Sequence, residues 1–238
     1  QTLHMKLLLL GSNGQLGWEL QRSLSPLGRI FTCDRNTVDF NDLDKLKSVV
    51  RKYRPDVIVN AAAYTDVDKA ESEEENACQV NSKAVDLLAQ EAKVLDAWLI
   101  HYSTDYVFDG EAFNPYLESC ETNPKSEYGL SKLNGELAIQ ASDCQYLIIR
   151  TSWVFSEYGS NFMKTMLRVG STSAQLSIVD DQFGCPTYAQ NLAHSVVCIL
   201  PRLLEPNSLS GVYHYCGRGE CSWYDFAQVI FEKARLLG

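Results

Sequence analysis

The sequence has no surplus of positive charge. Its 238 residues carry 21 Lys and Arg against 30 Asp and Glu, a formal net charge of -9. Neutralising a phosphate backbone takes a basic surface, so nucleic acid is excluded as a partner. No apolar run approaches the ~20 residues of a membrane span. The run from Leu7 to Leu10 suits a buried strand, and no membrane partner is expected. A signal peptide is also missing; Gln1 to His4, ahead of Met5, read as an extraneous leader, and a cytoplasmic location follows. The eight cysteines (Cys33, Cys78, Cys120, Cys144, Cys185, Cys198, Cys216 and Cys221) include no Cys-x-x-Cys pair, so zinc-site spacing is lacking. A chain of this length with 45% hydrophobic residues can bury its own core without disulfides, and reduced thiols are expected. Internal repeats and low-complexity tracts are absent.

What is present is an alternation of apolar strands and amphipathic helices. Met5 to Leu10 leads into Gly11, Gly14, Gln15, Leu16 and Gly17, then an amphipathic stretch to Leu27. This reads as strand, glycine turn and helix, in which glycines let the backbone approach a pyrophosphate at the helix N-terminus. The spacing is Gly-x-x-Gly-x-x-Gly rather than Gly-x-Gly-x-x-Gly. Arg29 to Cys33 forms the second strand and ends at Asp34. A carboxylate there can accept adenosine ribose hydroxyls, which favours NADH, or can serve as a turn residue. Arg35 next to it can meet a 2'-phosphate, which favours NADPH. Asp39 fits adenine contact and capping of a helix from Asp42 to Tyr53 equally well.

Asp56 to Asn60 gives a third strand running into Ala61, Ala62, Ala63, Tyr64 and Thr65. Small residues at a strand's carboxyl end leave room for a ligand. Glu73 to Glu75 are a solvated face, and a long helix runs to about Asp96. Trp98 to Ser103 is the fourth strand, with His101 a sheet histidine, and it ends at Thr104 and Asp105. A loop to Lys125 covers the site, a helix starts at Ser126, and Gln145 to Arg150 is another buried strand. The pattern predicts an α/β protein with a Rossmann-type doubly wound parallel sheet in residues 1–150. A smaller C-terminal substrate-binding lobe is expected over 151–238, with 187–205 packed back on the Rossmann domain. In that lobe we expect a helix from Asn161 to Val169, a strand from Leu176 to Val179 and a turn-rich loop from Asp180 to Thr187. A helix from Tyr188 to Leu204 and a strand from Val212 to Cys216 follow. The final helix, from Ser222, puts Phe226, Val229 and Ile230 on one face.

Tyr128 and Lys132 are four residues apart and fall on one helix face. A free tyrosine titrates near ~10, and a neighbouring ammonium favours the phenolate. A depression of ~3 units takes about 4 kcal/mol. Such a pair could exchange a proton with a carbonyl oxygen or an alcohol. A hydroxyl at a strand end, Thr104, could bond the same oxygen. Tyr-x-x-x-Lys alone occurs often by chance, so the rest of the chain decides its meaning.

Several stretches extend the comparison beyond that pair. They are Gly11 to Gly17, Asn60 to Ser72, Ser103 to Phe108, Tyr128 to Glu136, Arg150 to Val154, Asp181 to Gly184 with Pro186 and Thr187, and Ser222 to Tyr224. Together they resemble the extended short-chain dehydrogenase/reductase family and, within it, the dTDP-4-dehydrorhamnose reductases (RmlD), over nearly the whole chain. The resemblance implies reduction of the 4-keto group of a dTDP-sugar, dTDP-4-dehydro-L-rhamnose, by NADPH or NADH in dTDP-rhamnose biosynthesis. It gives Tyr128 the proton donation and Lys132 the hold on the nicotinamide ribose. Thr104 and Asp105 would touch the sugar, and Trp153 would pack on the substrate or in the core. Gly14, Gln15, Leu16, Asp34, Asp39, Phe40, Ala63, Tyr64, Thr65 and Tyr102 map onto cofactor-contacting positions. Family precedent suggests a homodimer. Some relatives use Mg2+ at a subunit interface, although no local ligand pattern here demands it. Family members continue for some tens of residues past the last helix, so an incomplete substrate lobe is expected.

Two rivals share the fold. Epimerases and 4,6-dehydratases are one, but dehydratases follow the threonine with Asp-Glu, whereas Thr104 precedes Asp105 and Tyr106. The other is a non-catalytic role like that of the regulatory subunit of methionine adenosyltransferase, since a fold can keep its pocket and change its task.

Overall fold

A computed structural model describes residues 5–173, 175–203 and 209–237. The chain starts with β1 (Met5–Leu10), whose side chains alternate between two faces. Leu8 and Leu10 enter one apolar cluster, and Leu7 and Leu9 enter another. Helices therefore cover both faces. Helix α1 (Gln15–Leu24) closes the second cluster with Leu20 and Leu24, and β2 (Gly28–Cys33) returns beside β1 in parallel. Helix α2 (Leu43–Tyr53) covers the first cluster with Leu46, Val49 and Val50; its cap is Asp42, which accepts from the Lys45 amide at 2.9 Å.

Next come β3 (Val57–Asn60), the short helices α3 (Val67–Ala70) and α4 (Glu74–Cys78), then α5 (Ala84–Leu95). The expected long helix to Asp96 is interrupted: Gln79–Lys83 form a π-helical turn between α4 and α5. Strand β4 (Trp98–Thr104), helix α6 (Glu127–Ala141) and β5 (Gln145–Thr151) complete the first part. The short strands β6 (Val154–Phe155), β7 (Phe183–Gly184) and β8 (Thr187–Tyr188) flank α7 (Phe162–Gly170). Helix α8 (Ala189–Leu203), β9 (Gly211–His214), β10 (Cys221–Ser222) and α9 (Trp223–Leu237) follow.

The central sheet is parallel throughout and ordered β2-β1-β3-β4-β5-β9. This is the doubly wound sheet that the sequence predicts. Its order reverses at β1 and β3, so a crevice opens at their carboxyl ends. Helix α8 packs against α1 and sends Leu192, Ala193, Val196 and Leu200 into the cluster containing Leu7 and Leu9.

Four expectations change. The late strand runs over Gly211–His214 rather than Val212 to Cys216, and it pairs with Leu147–Arg150 as the sixth strand of the central sheet. Leu176 to Val179 form no strand; Leu176 and Ile178 instead line a pocket against Tyr224 and Phe231 of α9. The ladder in this region is β7 with β10, inside the segment read as a loop. On α9, Phe226 and Ile230 are buried but Val229 is half exposed. Gln1 to His4 and Leu204 lie outside the described residues.

Candidate active site

Thr104 ends β4, and a 3-10 turn (Asp105–Val107) follows at once. The Thr104 hydroxyl donates to Asp105 Oδ1 at 3.1 Å and accepts from the Tyr106 amide at 3.2 Å. Helix α6 is aimed at this turn. Ser126 caps it by accepting from the Gly129 amide at 3.1 Å. Gly129 allows the close approach: a Cβ there would fall 2.2 Å from the Tyr106 carbonyl oxygen. The next residue back, Tyr128, thereby reaches the Thr104 hydroxyl as a hydrogen-bonding partner and meets the Tyr106 ring edge-on at 5.6 Å.

One turn along α6, Lys132 is buried and donates from Nζ to the Tyr102 carbonyl at 2.6 Å. Burial pulls its pKa down to about 8, against the field of Glu136. Burial pushes Tyr128 up to about 12; the Thr104 hydrogen bond opposes this, while Asp105 reinforces it. The sequence reading has Lys132 depressing Tyr128. In the structure the ammonium is committed to the Tyr102 carbonyl, and burial is the largest influence on the phenol. Asp105 opens onto the cleft yet is densely surrounded by protein, and desolvation raises its carboxyl to about 6. His101 is a buried sheet histidine, as expected, with Nδ1 3.1 Å from Asn60 Nδ2.

The glycine loop follows β1 at the crevice. Gly11 has φ +79°, a left-handed conformation, and a Cβ there would strike the Ala62 amide nitrogen at 2.6 Å. The Gly11 and Ser12 amides donate to the Cys33 carbonyl. Gly14 precedes α1 with no side-chain cap, so the first-turn amides are available to an anion. This fits a dinucleotide pyrophosphate. Gly17 packs on the Gly11 carbonyl. Ala62, Ala63 and Tyr64 are half-buried after β3, and Thr65 is exposed.

Gln15 Nε2 donates to the Val154 carbonyl at 3.2 Å, and Gln15 Oε1 accepts from Asn161. The Leu16 and Phe40 side chains pack into the two apolar clusters. Tyr102 is buried and its hydroxyl lacks a partner among the described residues. Asp34 accepts from the Thr37 amide and hydroxyl, at 2.9 and 2.6 Å, which lowers its pKa. Arg35 lends its field to Asp39, whose carboxylate accepts from the Asn41 amide, so the α2 cap falls to Asp42 instead. Trp153 has φ +46°, stacks on Trp223 at 3.5 Å and lies against Gly184.

Sequence reasoning missed two supports. Asn81, in the π-helical turn, bonds both the amide and carbonyl of Tyr64 and the Ser131 hydroxyl. Glu136 holds Arg150 through a buried ion pair at 2.7 Å. The second was readable, since Glu136 continues the four-residue spacing of Tyr128 and Lys132. Among the described residues no group of three or more His, Cys, Asp or Glu side chains could hold a metal ion, so Mg2+ gains no support.

Comparison with known proteins places this geometry in context. The family described as RmlD substrate binding domain matches residues 5–237. The dTDP-4-dehydrorhamnose reductase of Escherichia coli K12 is 45% identical, over 98% of this chain and 80% of that protein. The Burkholderia thailandensis protein of that name is 44% identical, with the same coverage. Among solved structures, dTDP-4-dehydrorhamnose reductase from Bacillus anthracis, in complex with NADP, superposes with a TM-score of 0.92. It is 37% identical, over 97% of this chain and 82% of that one. With similarity spanning the glycine loop, the Tyr128–Lys132 helix and the segments beyond β5, the chain belongs to the RmlD family of dTDP-4-dehydrorhamnose reductases.

Proposed function

We propose that this chain is an NAD(P)H-dependent oxidoreductase that reduces the 4-keto group of dTDP-4-dehydro-L-rhamnose to give dTDP-L-rhamnose. The observation that carries the reading is the contact of Thr104, Asp105 and Tyr128 beside the crevice of the doubly wound sheet. It is joined by 45% identity to a protein named for that activity.

The uncapped start of α1 and the Gly11 turn would hold the dinucleotide's pyrophosphate, and Ala62 to Thr65 would line its path. A bound nicotinamide supplies the hydride. Tyr128 supplies the proton to the developing alkoxide through its hydroxyl oxygen. A phenol held near 12 is fully protonated at neutral pH, which suits donation in the reducing direction. Thr104 orients that hydroxyl, and its one proton, given to Asp105 in the resting site, would turn to the same oxygen. Lys132, one turn along α6 and held by the Tyr102 carbonyl, would hold the cofactor ribose. Asp105 binds sugar hydroxyls from the cleft floor, and Trp153 limits the cleft on the lobe side. In this reading the nucleotide unit comprises residues 1–150 with α8 and β9, and the other segments after residue 150 form the substrate side. The same reading makes the protein cytoplasmic, where dTDP-sugars and reduced nicotinamides occur. We take it to be a homodimer, which sedimentation at working concentration checks.

The test is a coupled assay with dTDP-4-dehydro-L-rhamnose and either NADPH or NADH, with Tyr128→Phe in parallel. Turnover reduced ~10²–10⁴-fold in the variant, with cofactor binding kept, supports the assignment. Equal turnover in both proteins refutes the role of Tyr128. The ratio of the two cofactors decides whether Arg35 or Asp34 dominates at the adenosine end.

A further inference from the structure

Three thiols from separate stretches meet beside this cleft. Cys185 follows β7, Cys221 opens β10, and Cys216 lies between β9 and β10. The antiparallel pairing sets Cys221 opposite Gly184. Gly217 is pressed onto Pro186 so tightly that a Cβ would fall 2.0 Å from the Pro186 carbonyl oxygen. The Gly217 amide also donates to Thr187 Oγ1 at 3.2 Å. Cys216 and Cys185 flank that contact, and their side chains interact directly. All three are free thiols; Cys216 is exposed, while Cys185 and Cys221 are partly covered. None has a part in the reduction proposed above.

A disulfide requires Cα atoms within roughly 4.4–6.8 Å and side chains directed at one another. Here the backbones touch one residue from each cysteine, and the two side chains interact. We infer that Cys216 and Cys185 form an oxidisable dithiol that closes to a disulfide with peroxide as the oxidant.

The two members play different parts. Cys216 is open to solvent, so peroxide reaches it first. Burial and the adjoining Cys216 push Cys185 up to about 11, so it remains a protonated thiol in the resting state. In the first step the Cys216 thiolate attacks one peroxide oxygen. The O–O bond breaks, hydroxide leaves and takes up a proton as water, and Cys216 becomes a sulfenic acid. In the second step the Cys185 sulfur attacks the sulfenic sulfur. The S–O bond breaks, and the leaving hydroxide takes the Cys185 proton as water. The sum is two thiols and one peroxide to one disulfide and two waters: the thiols lose two electrons and the peroxide gains them. The bridge would tie the stretch after β7 to the chain after β9. Gly184 lies against Trp153, and the Cys185 carbonyl accepts from the Ser152 hydroxyl at 2.9 Å, so it would stiffen the lobe side of the cleft.

The test treats the folded protein with stoichiometric hydrogen peroxide, alkylates the remaining thiols and maps the peptides by mass. We expect loss of two hydrogens, a cross-linked peptide pair containing Cys185 and Cys216, and reversal by dithiothreitol. Cys216→Ser and Cys185→Ser should each abolish the cross-link while keeping the wild-type thermal transition. The unmodified protein alone decides the matter if a variant fails to fold. A cross-link between Cys216 and Cys221, stable oxygen addition at Cys216, or no mass change overturns the proposal. Because the readout is a mass, it holds whether or not the sugar is reduced.

Discussion

Glu136 grips Arg150 with both carboxylate oxygens, at 3.0 Å to Nε and 2.7 Å to Nη2, one helical turn beyond Lys132. Both side chains are buried, and the guanidinium also lies 5.0 Å from the Phe108 ring centre. Removing the carboxylate leaves a buried cation without its partner. Glu136→Gln should destabilise the fold by about 3–5 kcal/mol. Chemical denaturation measures this. Replacing both members, as in Glu136→Leu with Arg150→Met, should recover much of the loss, because paired desolvation ends with the pair.

Asp105 makes a prediction with a definite sign. Its folded pKa, about 6, stands above the ordinary carboxylate value of ~3.9. Between these values the folded chain binds more protons than the unfolded one, so stability falls as pH rises through the window. Asp105→Asn should flatten the melting temperature between pH 4 and 6. At neutral pH it should raise stability by roughly 1 kcal/mol or less, because water in the cleft screens the charge. Turnover should fall in the same variant. Thermal melts at pH 4.5 and 7 beside the reductase assay check both halves.

Lys132 works in the opposite direction. Its folded pKa, about 8, is below the unfolded value of ~10.4. In that interval the unfolded chain holds a proton that the folded chain has released. Stability therefore rises with pH from 8 to 10 as far as this group is concerned. Lys132→Met should lose that rise and turnover together, yet fold as well as the parent at pH 7. Melts across pH 7–10 show the difference in slope.

Gly129→Ala tests the approach of α6 to the 3-10 turn. The added methyl would lie 2.2 Å from a backbone oxygen, which a side-chain rotation cannot relieve. The helix must retreat, and Tyr128 with it. A misplacement of ~1 Å can lower turnover ~10²-fold. The expected pattern is a lower kcat with cofactor affinity kept, read by steady-state kinetics and fluorescence titration.

Local rules made much of this legible. The glycine turn and the apolar strands follow from neighbours in sequence, and the structure has them. The Thr104–Tyr128 contact was also within reach, because a strand end and a helix start each announce themselves. Pairing was not. The alternation in Leu176 to Val179 signals an extended chain, and extension without a free neighbouring edge yields no strand. The reverse error befell Phe183 and Gly184, whose partner is Cys221 and Ser222 far along the chain. The protonation balance at Tyr128 was hidden for a related reason. Helical spacing brings Lys132 near, but only the fold shows the Tyr102 carbonyl taking its ammonium.

The late arrival of β9 bears on how the chain is born. Tyr146 and Ser210, which bond at the start of the β5–β9 pairing, are 64 positions apart. On a ribosome working at ~5–20 residues per second, the β5 edge waits several seconds for its partner. An apolar strand with open amides and carbonyls is a template for other nascent chains during that interval. The price of finishing the sheet from the far side of an insertion is thus a window of vulnerability during synthesis. Slowing translation beyond Thr151 would lengthen that window, and a chaperone engaging the β5 edge would close it.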